Sequence, residues 1–143
     1  MHLPDRLVRT IDRVTQRLYV ASGGRVGHRQ GPWRMLLLTT TGRRSGEPRT
    51  HALLYLAHGD DLLVVASNNG ADASPAWYLN LRAHPEVVVQ RGRRTGAYSA
   101  RTATEAERAA LWPVLTQHNP AYLDHQARTR RTVPVVVLTP ASS

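Results

Sequence analysis

The chain contains no cysteine, no phenylalanine and no lysine among its 143 residues. Without cysteine it can form no disulfide, no thiolate zinc site and no cysteine nucleophile. The same absence fits a reducing cytosol. No apolar run approaches the ~18 residues of a membrane-spanning helix, and the N-terminus lacks the apolar core of a secretory signal. The expectation is a soluble or membrane-surface protein. Nor is there a Walker loop, a Gly-x-Gly-x-x-Gly turn after a strand, or a Gly-x-Ser-x-Gly elbow. The seven histidines show no His-x-x-x-His spacing, and His118 and His125 fall about two helical turns apart. Glu105 and Glu107 read as part of a helix cap, Asp60 and Asp61 as a turn. No carboxylate pair is left for acid–base work, which argues against hydrolysis.

What is present in excess is positive charge. All nineteen basic residues are Arg, and against ten acidic ones they give a formal net charge of +9 and a pI near 11.3. Such a balance favours polyanionic partners: nucleic acid, acidic lipid, or a phosphorylated or polycarboxylate small molecule. Hydrophobic residues make up 41% and charged residues 20%. That excludes wholesale disorder, and a domain of this length buries roughly 68–70% of its unfolded surface.

Residues 1–22 read as an N-terminal amphipathic helix. Leu3, Leu7, Ile11, Val14 and Leu18 recur at three- and four-residue steps, with Arg6, Arg9, Arg13 and Arg17 between them. This arm is either a lid on the domain or an interfacial membrane helix. A Gly-rich basic loop follows, and residues 32–140 form the second unit. Strands are predicted over 33–41, 49–57, 62–67, 86–90, 97–102 and 133–138. The first three are joined by short turns, which argues for an antiparallel meander. Ser74 and Pro75 read as a helix cap and first turn, opening a helix to Ala83. Thr104 to Glu107 is a capping box whose helix Pro113 should bend or break. A further short helix is predicted around 120–127. Six mostly antiparallel strands with helices inserted late make an α+β protein built on a closed or split barrel.

Two stretches stand out chemically. Arg43 and Arg44 sit in the turn after the first strand and Arg49 opens the next one, so a hairpin gathers three guanidinium groups. At ~8 Å and an effective dielectric of 20, each pair repels by roughly 2 kcal/mol before solvent screening. Clustering of this kind suits an anion, and Arg offers bidentate geometry to phosphate. Then Ser67-Asn68-Asn69-Gly70 ends a strand in small hydrogen-bonding residues, shortly before Trp77-Tyr78. Together they suggest a polar rim and an aromatic wall for a planar heteroaromatic ring, although Trp77 taken alone reads as a core residue.

Three segments carry a more specific resemblance. Leu37 through Thr50 (LLTTTGRRSGEPRT), Val64 through Ala71 (VVASNNGA) and Pro75 through Pro85 (PAWYLNLRAHP) resemble the deazaflavin-dependent nitroreductase family. Residues 103–108, Trp112-Pro113 and 131–137 resemble its C-terminal part. The resemblance implies a split β-barrel that binds coenzyme F420, an 8-hydroxy-5-deazaflavin with a phosphodiester and an oligoglutamate tail. By this likeness Arg43, Arg44, Ser45 and Arg49 match the phosphate-binding positions, with Thr50 and His51 extending the stretch. Val65, Ala66, Ser67 and Asn68 match the strand end along the ring, and Ala76, Trp77, Tyr78, Leu79 and Asn80 match the helix that closes its other edge. The implied reaction is hydride transfer from reduced F420 to an electron-poor acceptor such as a quinone, enone or nitroaromatic. Ser67 would polarise the acceptor or fix the ring, and Tyr122 matches a lid tyrosine. Leu54, Asn119 and His125 stand at acceptor-pocket positions that are aromatic in some members, and Ala52 stands where the family usually has Pro. The implied setting is cytoplasmic, with the N-terminal helix able to meet an anionic surface on the inner face of the cell membrane. Competing readings are an FMN-binding split-barrel reductase and, from another class, a basic nucleic-acid-binding module using Arg91-Gly92-Arg93-Arg94. The absence of Phe argues against the latter, since base stacking wants exposed aromatics.

Overall fold

A computed structural model describes residues 34–141; the expected N-terminal helix and the loop after it lie outside the described residues. The six strands are β1 (Arg34–Thr41), β2 (Pro48–His58), β3 (Asp61–Val65), β4 (Glu86–Arg91), β5 (Arg94–Thr102) and β6 (Val135–Pro140). The helices are α1 (Ala76–Ala83), α2 (Glu105–His118) and α3 (Ala121–Ala127), with a single 3-10 turn at Asn68–Gly70. All strand pairs are antiparallel, and the order β1-β2-β3-β6-β5-β4 closes into a barrel through β4 and β1. Among the described residues no helix is long and apolar enough to cross a membrane.

Two cores result from strand alternation. Leu36, Leu38, Leu62, Val64, Val89 and Leu138 point into the barrel, where Trp77, Tyr78 and Leu81 of α1 join them. On the outer face, Leu63, Val135 and Val137 carry Leu115 of α2 and Tyr122 of α3. The pairs Thr41↔Pro48, Val65↔Val135 and Thr102↔Val136 put the ends of β1, β3 and β5 and the starts of β2 and β6 at one end of the barrel. The arginine turn, the strand end at Ser67 and all three helices leave from that end.

Local chemistry corrects several sequence expectations. β5 starts at Arg94, because Thr95 and Gly96 continue the ladder with Gln90 and Val89, and only Gly92 (φ 57°) and Arg93 make the turn. Ser74 does not cap α1, whose N-cap is Pro75 with no side-chain hydrogen bond. The capping box forms, Thr104 Oγ1 accepting from the Glu107 N–H and the Glu107 carboxylate accepting from the Thr104 N–H. α2 nevertheless runs unbroken through Pro113. Proline removes the hydrogen bond to the Ala109 carbonyl, but both residues are exposed and water can satisfy that group.

Candidate functional site

The first half of the site is the turn between β1 and β2. Gly42 N–H donates to the Glu47 carbonyl and Gly46 N–H to the Gly42 carbonyl, both at 2.8 Å. A Cβ at Gly42 would sit 2.6 Å from Ser45 Oγ and 3.1 Å from the Glu47 carbonyl oxygen, so a side chain there would displace the Ser45 hydroxyl and press on the turn. Arg43, Arg44, Ser45 and Arg49 are all exposed on it. Arg43 is held in place: its backbone N–H and its Nη1 both donate to Asn80 Oδ1 at 3.1 Å. Asn80, 3% exposed, donates its Nδ2 to Thr40 Oγ1 at 3.2 Å. Arg49 reaches Ser45 Oγ at a long 3.5 Å, and Arg44 makes no hydrogen bond or ion pair among the described residues.

β2 continues this half along the barrel wall. Its register pairs Arg49 with Thr40 and His51 with Leu38, so both face the barrel interior. Both are nonetheless exposed, which means barrel side chains leave the inner face of β2 uncovered at this end. Neighbouring atoms desolvate His51 enough to lower its pKa, favouring the neutral imidazole. Thr50 faces the other way and is hydrogen-bonded to Thr39 at 2.7 Å. The structure therefore does not bring Thr50 together with Arg49 and His51. Leu54 lies on the same outer face, paired with Met35 toward the opposite end, away from the other acceptor-pocket candidates.

The second half is the end of β3. Ala66 points into the core and Ser67 outward toward α3, where Ser67 Oγ lies 2.9 Å from His125 Nδ1. The chain then turns through three successive left-handed residues, Asn68 (φ 47°), Asn69 (φ 55°) and Gly70 (φ 82°). Asparagine tolerates this conformation better than most residues. Gly70 is required for a second reason: a Cβ there would lie 2.7 Å from the His125 carbonyl oxygen. Arg131 secures the loop from behind, donating to the carbonyls of Ala66, Ser67 and Ala71. Arg128 donates to Asn69 O. Gln126 accepts from Arg108 and from the Val133 N–H and donates to Arg131 O, tying α2, α3 and the approach to β6 together.

Ser67, Asn119, Tyr122 and His125 thus come together at α3. Tyr122 stacks between Trp112 (centroids 6.5 Å) and His125 (6.0 Å, edge-on). It is 7% exposed, and burial raises the pKa of its phenol. The α1 residues divide differently from the expected aromatic wall. Trp77 and Tyr78 are buried in the barrel core, T-shaped to each other, with Tyr78 Oη bonded to Thr102 Oγ1 at 2.8 Å. They close the barrel; only Ala76 is exposed at the helix start. Sequence reasoning had no signal for Arg131 or Gln126, because the carbonyls they bind become neighbours only after β6 pairs with β3.

Residues 11–140 match the family model described as F420H(2)-dependent quinone reductase. An F420H(2)-dependent quinone reductase of Mycobacterium tuberculosis (strain ATCC 25618 / H37Rv) is 40% identical over 131 residues, which cover 89% of this chain and 88% of that protein. Among solved structures, an F420-H2 dependent reductase (FDR-A) matches with a TM-score of 0.66 at 33% identity, covering 73% of this chain and 92% of its own. A domain-swapped dimer matches with a TM-score of 0.68 at 30% identity, covering 92% and 98%.

Proposed function

The chain belongs to the F420H(2)-dependent quinone reductase family, and from that premise we propose how its residues divide the work of reducing a quinone. Coenzyme F420 is the cofactor, and in its bound, reduced form it supplies the hydride. The observation that carries the assignment of residues is the exposed set Arg43, Arg44 and Arg49 beside the uncovered inner face of β2. An anionic, planar group suits it. The guanidinium groups and the Ser45 hydroxyl hold phosphate and acidic tail, and His51 flanks them. Asn80 acts one step back, fixing Arg43 against α1. The strand end from Val65 to Asn68 and the exposed start of α1 border the ring. Ser67, Asn119, Tyr122 and His125 form the acceptor side, where the buried, neutral Tyr122 excludes water. Activated enones and nitroaromatics are further acceptors on this reading. The stripe and interleaved arginines of residues 2–20 attach the enzyme to an anionic membrane face, where lipid-soluble quinones reside.

Titration of the purified chain with F420 and with FMN tests the cofactor site. F420 binds far more tightly, and added salt weakens it as the tail contacts are screened. Removing Arg43, Arg44 or Arg49 weakens F420 by roughly 1–3 kcal/mol each, the scale of a charge-assisted hydrogen bond. Equal or tighter FMN binding overturns the assignment. Co-sedimentation with anionic vesicles, comparing the full chain with a deletion of residues 1–21, tests the membrane reading: it stands if only the full chain sediments.

A further inference from the structure

Reduction of a quinone takes a hydride and a proton, and the acceptor side of the site must provide the second. Ser67 is 6% exposed, and its hydroxyl lies 2.9 Å from His125 Nδ1. The contact is built in. Gly70 has no side chain where one would strike the His125 carbonyl, which lets α3 approach this closely. Arg131 and the Gly70 N–H hold the Ser67 carbonyl at 2.9 and 2.8 Å, which fixes the backbone from which the hydroxyl reaches His125. His125 is half-buried and its Nε2 makes no hydrogen bond among the described residues, which leaves the ring within reach of solvent protons.

We propose that His125 delivers, through the Ser67 hydroxyl, the proton that completes quinone reduction. The inference rests on the reading of Ser67 as the residue facing the acceptor. Hydride addition leaves two electrons and one hydrogen on the quinone and negative charge on an oxygen. The Ser67 O–H bond breaks toward that oxygen as the His125 Nδ1–H bond breaks toward Ser67 Oγ. Hydroquinone and a neutral imidazole result, and solvent returns the proton to the ring. When Nδ1 carries a hydrogen the serine hydrogen is free for the acceptor; when Nδ1 lacks one, the serine spends its hydrogen on the ring. His125 therefore sets the direction in which Ser67 donates, as a relay and positioning residue. The charged and titratable groups on its own and the adjoining elements are Asp124 and Tyr122 on α3, Arg128 just past its end, Arg131 at the Ser67 carbonyl, Arg108 of α2, bonded to Gln126, and Asp72, which accepts from Thr129.

The test compares wild type, His125→Gln, His125→Phe and Ser67→Ala. Glutamine can still bond Ser67 but cannot take up and pass on a proton. NMR of the apo protein gives the His125 titration, its signals assigned by their loss in His125→Gln. F420 binding is measured in every variant, and kcat with a soluble naphthoquinone is followed against pH in ordinary and deuterated water. The relay predicts that kcat of wild type falls with rising pH along the NMR titration of His125. It also predicts that His125→Gln loses that pH dependence and about 100-fold in kcat while binding F420 within threefold of wild type, on the scale of lost general-acid catalysis. In the apo protein, Ser67→Ala shifts the His125 tautomer. A His125→Gln enzyme with the wild-type kcat, pH profile and solvent isotope effect overturns the relay. If wild type itself fails to bind F420, the cofactor reading falls instead, and the apo NMR comparison still judges the Ser67–His125 coupling.

Discussion

Asn80→Ala is the sharpest probe of how the cofactor half is held. The side chain accepts from the Arg43 N–H and from Arg43 Nη1 and donates to Thr40 Oγ1, all within 3.1–3.2 Å. Asn80 and Thr40 are 3% and 1% exposed. The bonds to Thr40 and to the Arg43 N–H contribute about 1 kcal/mol each, and stranding the buried Thr40 hydroxyl costs about 1 kcal/mol more. The guanidinium bond adds little, because Arg43 is exposed and water replaces it. The sum is about 3 kcal/mol, a fall in apo melting temperature of roughly 9–15 °C for a domain of this size. Arg43→Ala keeps its backbone N–H on Asn80 and forfeits only the exposed bond, so its apo stability should stay within about 1 kcal/mol of wild type. The two variants then dissociate the two roles. Arg43→Ala loses F420 affinity at nearly constant stability, and Asn80→Ala loses both because the turn is no longer tied to α1. Urea denaturation of the apo proteins with parallel F420 titrations reads this out. An Asn80→Ala protein as stable as Arg43→Ala would refute the latch.

Gly70→Ala forces an L side chain at φ 82° and against the His125 carbonyl, so it should destabilise by at least about 2 kcal/mol in denaturant unfolding. The same change should part His125 from Ser67 and lower kcat without touching either residue. Arg131→Gln releases the carbonyls of Ala66, Ser67 and Ala71 and should cost about 2–4 kcal/mol, with amide exchange accelerating first in residues 66–71. The Arg101 guanidinium, paired at 2.6 Å and 2.8 Å, and the Thr104 N–H hold the Glu107 carboxyl down from 4.5 to about 2. A depressed carboxylate stabilises the fold above its unfolded value and loses that contribution as pH falls from about 4.5 toward 2. Glu107→Gln should therefore flatten the acid limb of stability in that window, and denaturation midpoints at pH 6 and pH 3 check it.

The strands were legible because their signal is local: alternating or continuous apolar runs between turn residues, as in Leu36 to Thr41 and Val135 to Leu138. The capping box was legible for the same reason. Of the two outcomes expected at Pro113, a bend or a break, the break does not occur, because the effect of proline depends on whether the orphaned carbonyl meets water. Trp77 taken alone reads as core, and the structure places it there; the aromatic wall expected from Trp77 and Tyr78 together was not borne out, because in the closed barrel both rings plug its end. Thr50 shows the finest loss. It sits between two residues of the open inner face, and strand alternation turns it to the other side.

The division between residues that hold the rim and residues left to meet a ligand follows from the barrel itself. Its interior is filled with apolar side chains, so nothing polar can bind there without a large desolvation cost. Ligand chemistry is confined to the rim, where irregular backbone must satisfy its own polar groups. Asn80, Arg131 and Gln126 meet that demand and are committed to protein partners as a result. Arg44 has no such partner among the described residues and Arg49 makes only long bonds to Ser45 and Pro48 of its own turn; with His51 they stand on one turn and one exposed strand face. At the end of β3, the Ser67–His125 pair joins a buried hydroxyl to a solvent-reachable ring. In the proposed division of work, the arginine turn recognises the anion and the Ser67–His125 pair supplies the proton, the two services a quinone reductase needs when its cofactor carries the electrons.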